Sequence, residues 1–543
     1  MTRRIKSILA SAFALFSLAA CSPVQLDVPG GPGDGSWQQQ ASEIKLSNIT
    51  YQVNVYSFAD SDGDGWGDIR GITEHLDYLD KLGATAIQLS PVFDAMSYHG
   101  YDVTDYSVIN LKLGTEADFK DLIDKAKARG IDIYMDYVLN HSGNQNPWFR
   151  QACAEPNGPY RDYYVFSDDP DSDMRNGKVD NFGGATYTRM GTWHELSDGS
   201  YYFASFDKSM PDLNYGPFDK AAESPAFKDL AAAADKWINL GVNGLRLDAV
   251  NWIYQEQIAA NVAFLKAWYE RCNATYKARG GQGNFYMVGD ARSDNVEQMA
   301  PYYQGLPSNF NFYYWYTLKD YINRGRGDEF ARTVKYFRNL FLQNRRDFID
   351  AIKLTNHDED RAAEDLGRDV AKEKLAAAVL LTSPGKPFIY QGEELGYWGR
   401  KDRGDEFVRT PIKWTRGGSV ASAALSGKVD NAMLSQEISV EAQEQNNDSV
   451  LRVYRDFAQA RSAWKALALG EIEAVASPNS AVAVWRMKYE GQTVLVIHNF
   501  SGGSPVLPLP EYKTDRLIVS NGTVTVSDAS VTLGAYASAV FLQ

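Results

Sequence analysis

Gly244-Leu245-Arg246-Leu247-Asp248-Ala249-Val250 is an apolar run with one arginine and one aspartate set into it. That composition predicts a short buried strand. Arg246 and Asp248 are two residues apart, so on a strand their side chains leave the same face. A buried charge without a partner is costly, and an arginine beside an aspartate removes that cost. A structural ion pair would satisfy this constraint alone. A carboxylate kept ionised by its arginine and aimed into a cleft is also a nucleophile. The surrounding sequence decides between the two.

Strand and helix patterns alternate on both sides of this stretch. Upstream, residues 53–58, 84–92 and 131–138 predict strands. Between them lie helices over 72–83 and 115–130, each closing on a glycine, the second with Thr115 as its cap. A helix over 226–240 leads into the central strand. Downstream, strands are expected at 285–291, 310–315, 349–355 and 387–391, with helices over 257–277, 372–382 and 450–467. Eight strand–helix units predict an α/β fold, a (β/α)8 TIM barrel built from residues 46–139 and 216–468. Residues 140–215 are irregular, aromatic and glycine-rich, too long for an ordinary loop, and predict an inserted domain after the third strand. Residues 469–543 alternate in short apolar strands with Gly, Asn and Pro turns, which predicts a C-terminal all-β sandwich.

The N-terminus carries an address. Arg3, Arg4 and Lys6 precede a short apolar run over 8–18, and Leu18-Ala19-Ala20-Cys21 follows in the order of a lipobox. Residues 1–20 therefore predict a lipoprotein signal peptide, with Cys21 lipidated and 21–45 a flexible Pro/Gly/Ser/Gln tether. Ser22 after the cysteine favours the outer membrane. Of the three cysteines, Cys153 and Cys272 remain in the body; they leave a single bridge open and make no disulfide framework, and no CxxC or His/Cys cluster predicts zinc. The formal net charge of -14 excludes a nucleic-acid partner, which would require a basic surface. The 12 Trp and 32 Tyr exceed ordinary packing needs and offer faces on which sugars stack.

In a barrel, chemistry sits at the C-terminal ends of the strands. Those ends carry Tyr98-His99-Gly100-Tyr101-Asp102, Asp136-Tyr137-Val138-Leu139-Asn140-His141, Arg246 with Asp248, Gly289-Asp290, and Asn356-His357-Asp358. This ordered set resembles the α-amylase family of glycoside hydrolases, and over nearly the whole mature chain it resembles the outer-membrane lipoprotein α-amylases of bacterial starch-utilisation systems. The resemblance implies a retaining, endo-acting hydrolase of α-1,4-glucosidic bonds in starch and maltooligosaccharides. It implies Asp248 as nucleophile, Asp290 in the acid/base position and Asp358 as the carboxylate that binds sugar hydroxyls. Arg246 would orient Asp248, His141 and His357 would bind hydroxyls of the same glucose, Tyr101 would stack on its ring, and His99 and Asp102 would line the site. It also implies contact with other glucan-binding and uptake proteins of the outer membrane.

Two departures stand out. In the family a Glu follows the Gly at the end of the fifth strand; here it is Asp290. One methylene less leaves the carboxyl about 1 Å short, a misplacement able to cost on the order of 100-fold. Asp294 and Glu297 are the nearby acidic alternatives. Second, Asn251-Trp252 stand where many relatives have Lys-His, in which Lys contacts sugar on the leaving-group side and the His carbonyl serves a calcium near Asn140. The activity alternatives are a catalytically weak starch-binding lipoprotein, or an oligosaccharide α-glucosidase, neopullulanase or transglycosylase of the same fold. Finally, Asp60-Ser61-Asp62-Gly63-Asp64-Gly65-Trp66-Gly67-Asp68 places oxygen ligands at alternating positions, with Asp60, Asp62, Asp64, Asp68 and the Trp66 carbonyl as candidate Ca2+ ligands. Gly71 at the twelfth position rules out an EF-hand.

Overall fold

The computed structural model describes residues 47–175, 192–255, 257–508, 516–527 and 530–543. The signal peptide, Cys21 and the tether lie outside the described residues. Eight strands close a barrel: β1 Ile49–Val53, β2 Ala84–Leu89, β3 Asp132–Val138, β4 Gly244–Asp248, β5 Tyr286–Gly289, β6 Ser308–Asn311, β7 Ile349–Lys353 and β8 Lys386–Tyr390. Every neighbouring pair is parallel, and β1 pairs with β8 to close the ring.

Two expected strands move. The first is Ile49–Val53, not 53–58, and residues Val55–Phe58 turn into a helix. The run from 49 to 58 is buried throughout, so no alternation marks where the strand stops. The sixth is Ser308–Asn311 rather than 310–315. Asn311 accepts a bond from the Tyr314 amide and caps the helix Phe312–Arg324, which converts an aromatic, strand-like sequence into helix. Other signals hold. Thr115 and Asp118 form a reciprocal capping box on Glu116–Ala128. Gly83 and Gly130, at φ 82° and 66°, end their helices in a conformation that favours glycine.

Alternation along the strands sets the barrel interior. Tyr134 and Asp136 on β3, Gly244, Arg246 and Asp248 on β4, and Tyr286 and Val288 on β5 share the inner face. Ala86, Tyr134, Tyr286, Val288, Phe310 and Phe388 form the apolar lower plug. Gly244 is required there, since a Cβ would lie 2.6 Å from the Tyr134 ring. In register, Arg246 lies between Asp136 of β3 and Val288 of β5. Asp136 and Arg246 therefore sit level with Val288 at the edge of the plug, and Asp248 lies one inward-facing position nearer the C-terminal ends of the strands.

Within the stretch after β3, a helix Pro147–Ala154 is followed by an antiparallel sheet of Phe166–Ser167, Tyr201–Ala204 and Thr192–Glu195. The last part of the chain forms a five-stranded and a three-stranded antiparallel sheet. Along Val482–Tyr489, Val482 and Val484 face the core between the two sheets, while Ala483, Trp485 and Met487 pack into the main core. Cys153 and Cys272 are free thiols.

Candidate active site

A cleft of about 720 Å³ opens at the C-terminal ends of the strands. Its wall includes His99, Tyr101, His141, Asp248, Asp290 and Asp358. Arg246, Asp102 and His357 are buried behind that wall. Of the alternative acids, Asp294 reaches the cleft, whereas Glu297 accepts a bond from the Tyr336 hydroxyl at 2.6 Å on the exposed side of its helix.

Arg246 organises the floor. It is 1% exposed. Its Nη1 donates to both Asp136 oxygens at 2.9 Å and to Asp248 Oδ1 at 2.6 Å. Its Nη2 donates to Asp290 Oδ2. One guanidinium therefore faces three carboxyl groups, an excess of negative charge that favours holding a proton among them. Burial foremost, with Asp248 adding its charge against the pull of Arg246, pushes Asp136 up to about 7. Burial foremost also pushes Asp290 up, with Arg246 opposing and the Asp248 and Asp358 charges reinforcing the shift. A raised carboxyl is better suited to hand over a proton than one held at its ordinary value.

Asp358 is held differently. Its Oδ1 accepts from Arg409 Nη2 at 2.9 Å and Lys401 Nζ at 3.1 Å, and its Oδ2 lies 3.0 Å from His357 Nε2. Burial works to raise this carboxyl, but His357, Arg409 and Lys401 together hold it well below the usual range. Gln52 donates to His357 Nδ1 at 2.9 Å, which leaves the ring proton on Nε2, between Asp358 and the Tyr101 hydroxyl 2.7 Å away. The Tyr101 ring stacks on His357 at 5.8 Å and its hydroxyl bonds Asp136 at 3.1 Å. Both His357 nitrogens are thus occupied by protein groups.

His141 differs again. Asn140 donates to its Nδ1 at 3.3 Å, and its buried Nε2 has no hydrogen-bond partner. Burial, then neighbouring His99, pulls its pKa down to about 4, so the ring is neutral. The ring lines the cleft, with Nε2 itself buried in the wall. Asp102 accepts both the Ser97 amide and hydroxyl, and the same hydroxyl lies 3.0 Å from His99 Nδ1. Asp102 therefore shapes the 97–101 turn.

Lys401, Asp405 and Arg409 carried no sequence signal. They come from short turns after β8, and Asp405 accepts from both cations at 2.7 Å. Phe206, Trp252 and Glu359 also line the cleft; Glu359 is held by Lys353 and by the Tyr316 hydroxyl.

The acidic loop after β1 lies apart from the cleft. Asp60, Asp62 and Asp68 bring one carboxylate oxygen each within 4.8 Å of one another. Asp64 stands outside this set, its Oδ1 accepting from the Trp66 amide at 2.7 Å. Gly67 and Gly71 let the loop lie on its neighbours: a Cβ at either would sit 2.2 Å from the carbonyls of Val55 and Ala59 respectively. Three converging hard oxygens fit a divalent cation of the calcium type.

The family model described as "Alpha amylase, catalytic domain" matches residues 52–470, and "Alpha-amylase SusG C-terminal domain" matches 482–540. Among curated proteins, Alpha-amylase SusG of Bacteroides thetaiotaomicron is 36% identical, covering 94% of each chain. Alpha-amylase 3 of Dictyoglomus thermophilum is 35% identical over 83% of this chain and 84% of its own. Among solved structures, an alpha-amylase from H. orenii superposes with a TM-score of 0.77 at 31% identity, covering 91% of this chain and 99% of the other. Eubacterium rectale Amy13B gives 0.79 at 28% identity, covering 92% and 96%.

Proposed function

The chain belongs to the alpha-amylase family of glycoside hydrolases, and from that premise we propose that it hydrolyses α-1,4-glucosidic bonds within starch and maltooligosaccharides with retention. The observation that carries this reading is the single Arg246 guanidinium bonded to both Asp248 and Asp290. It supports two neighbouring carboxyls acting on one bond. Retaining glycosidases need that pair about 5–5.5 Å apart.

In the first step Asp248 attacks the anomeric carbon and the glucosidic C–O bond breaks. The departing oxygen takes the proton of Asp290, leaving a β-glycosyl-enzyme and a shortened glucan. In the second step the Asp290 carboxylate removes a proton from water, which displaces Asp248 and restores the α-configuration. Asp358, anionic and braced by three positive or proton-bearing groups, takes sugar hydroxyls as the ring flattens. His141, Tyr101 and His99, all on the cleft wall, contact the same glucose. His357 and Asp102 act from behind the wall, by holding Asp358 and the 97–101 turn. Reducing-end release from soluble starch by the full chain, beside Asp248→Asn, tests the assignment: equal rates would overturn it.

Asp60, Asp62 and Asp68, with Asp64 and the Trp66 carbonyl drawn in, would hold Ca2+, which pins the loop after β1. At the N-terminus, charge, apolar run and lipobox support a lipid on Cys21 and attachment to the outer membrane, beside other glucan-binding and uptake proteins. Among the described residues no helix is long and apolar enough to cross a membrane. Loss of fatty-acid labelling and of membrane association in Cys21→Ser tests the anchor.

A further inference from the structure

Asp212, on the segment inserted after β3, is 1% exposed. Its Oδ1 accepts the Ser205 amide at 2.8 Å; its Oδ2 accepts the Ser205 hydroxyl and, at 3.3 Å, Gln255 Nε2. The same Gln255 nitrogen donates to Ser205 Oγ at 2.7 Å and to the Trp252 carbonyl at 3.3 Å. Gln255 is itself buried. It ends the turn that follows β4 and brings Asn251 and Trp252 to the cleft wall. A carboxylate and a carbonyl only accept, so the amide must present its nitrogen to them.

Oxygens from separate segments gathered about one small positive group is the arrangement a hard cation takes. The family expectation puts calcium near Asn140, served by the carbonyl of the residue four past the nucleophile. Here that residue is Trp252, and its carbonyl meets amide hydrogens. Asn140 is at the same seam: its carbonyl accepts the Leu213 amide at 2.9 Å. The residues present do not fit a metal, because their own donor fills the centre.

We propose that the Gln255 carboxamide takes the place of a cation at this seam and, as a positioning residue, fixes the turn carrying Asn251 and Trp252 against the inserted segment without metal. The turn needs such a hold. Ala249 and Gln255, at φ 46° and 45°, both adopt the left-handed region that non-glycine residues avoid. The Trp252 ring meets Phe206 of the inserted segment edge-on at 6.0 Å, so a shift of the turn moves the wall on the leaving-group side. This goes beyond the hydrolytic assignment, and its first readouts are metal content and melting, which do not depend on starch being cleaved.

The experiment uses the full chain with Asp60→Asn and Asp62→Asn, so that the acidic loop contributes no metal, saturated with calcium chloride and desalted. It is expected to retain no calcium. In that background Gln255→Ala is expected to lower Tm by about 2–4 °C and to raise KM for maltooligosaccharides several-fold with a smaller change in kcat. Gln255→Glu places a carboxylate where the amide hydrogens were; it is expected to retain one calcium per chain and to melt higher with calcium than without. Retention of one calcium with Gln255 in place overturns the proposal. So does a Gln255→Ala chain with unchanged Tm and KM, or a Gln255→Glu chain that holds no calcium. Should Gln255→Ala fail to fold, the calcium count on Gln255→Glu decides.

Discussion

Arg246 holds Asp290 directly, on the guanidinium nitrogen left over from its contacts with Asp136 and Asp248. A side chain one methylene longer would carry its carboxyl further out over the cleft, towards the glucosidic oxygen. Asp290→Glu is therefore expected to raise kcat on soluble starch by about 10–100-fold. Asp290→Asn is expected to lower it by about 10-fold or more. With an aryl α-maltoside whose leaving group needs little protonation, the gap between Asp290 and Glu should shrink. Equal rates on starch for all three side chains would mean that the proton comes from elsewhere, with Asp294 next to be tested.

Asp248→Asn keeps the shape of the side chain and removes its nucleophilicity. It is expected to reduce kcat by a factor on the order of 10⁴, with Tm changed little, as when an activated nucleophile is removed from a site that still binds. Release of reducing ends, followed with the melting curve, separates lost chemistry from lost fold.

Chelation should act through the acidic loop. Removing calcium leaves Asp60, Asp62 and Asp68 facing one another with their charges unneutralised. Differential scanning calorimetry of the full chain is expected to show a lower Tm in EDTA, restored by added calcium. The Asp60→Asn chain should be insensitive to both. Metal analysis finding no calcium, together with no change in Tm, would end the case for this site.

Stability should fall between about pH 6.5 and pH 8. Asp136, Asp212, Asp350 and Glu373 are pushed up to about 7 and Glu393 to about 8, burial being the foremost cause in each. Their unfolded counterparts titrate at about 4. The stability these groups contribute is complete below that value and is lost as pH rises through the folded pKa. The buried rings of His141 and His498, pulled down to about 4 and about 3, act in the opposite sense, but their contribution is already complete above about 6.5. Tm measured across the window should decline, and Glu393→Gln should flatten its upper part. A rise in Tm over the same range would contradict this account.

The barrel was legible because its signals are local. Thr115 with Asp118 announces a helix start, and apolar runs bounded by glycines announce strands. What failed were segments whose composition suits strand and helix alike. Phe312 to Trp315 has the composition of a strand, yet one Asn311 side chain on the Tyr314 amide makes it a helix. The convergence of Asp136, Arg246 and Asp248 was readable because period-two alternation aims all three inward together. Lys401, Asp405 and Arg409 were not, because loops after β8 have no period. Their relation to Asp358, some 40 to 50 residues earlier, exists only once the chain is folded. His357 and Asp102 were named from motifs, but a motif does not say which side of the wall a side chain occupies.

The seam between β1 and β8 joins Thr50 to Phe388 and Gln52 to Tyr390. During synthesis, the ring stays open until the ribosome has made residue 390. Until then, Ile49–Val53 and Ile349–Lys353 present bare hydrogen-bonding edges, the kind that capture strands from other chains. Fragments that stop short of Lys386 should accordingly aggregate rather than persist as smaller barrels, and a newly made chain needs shielding for most of its length before it can protect itself.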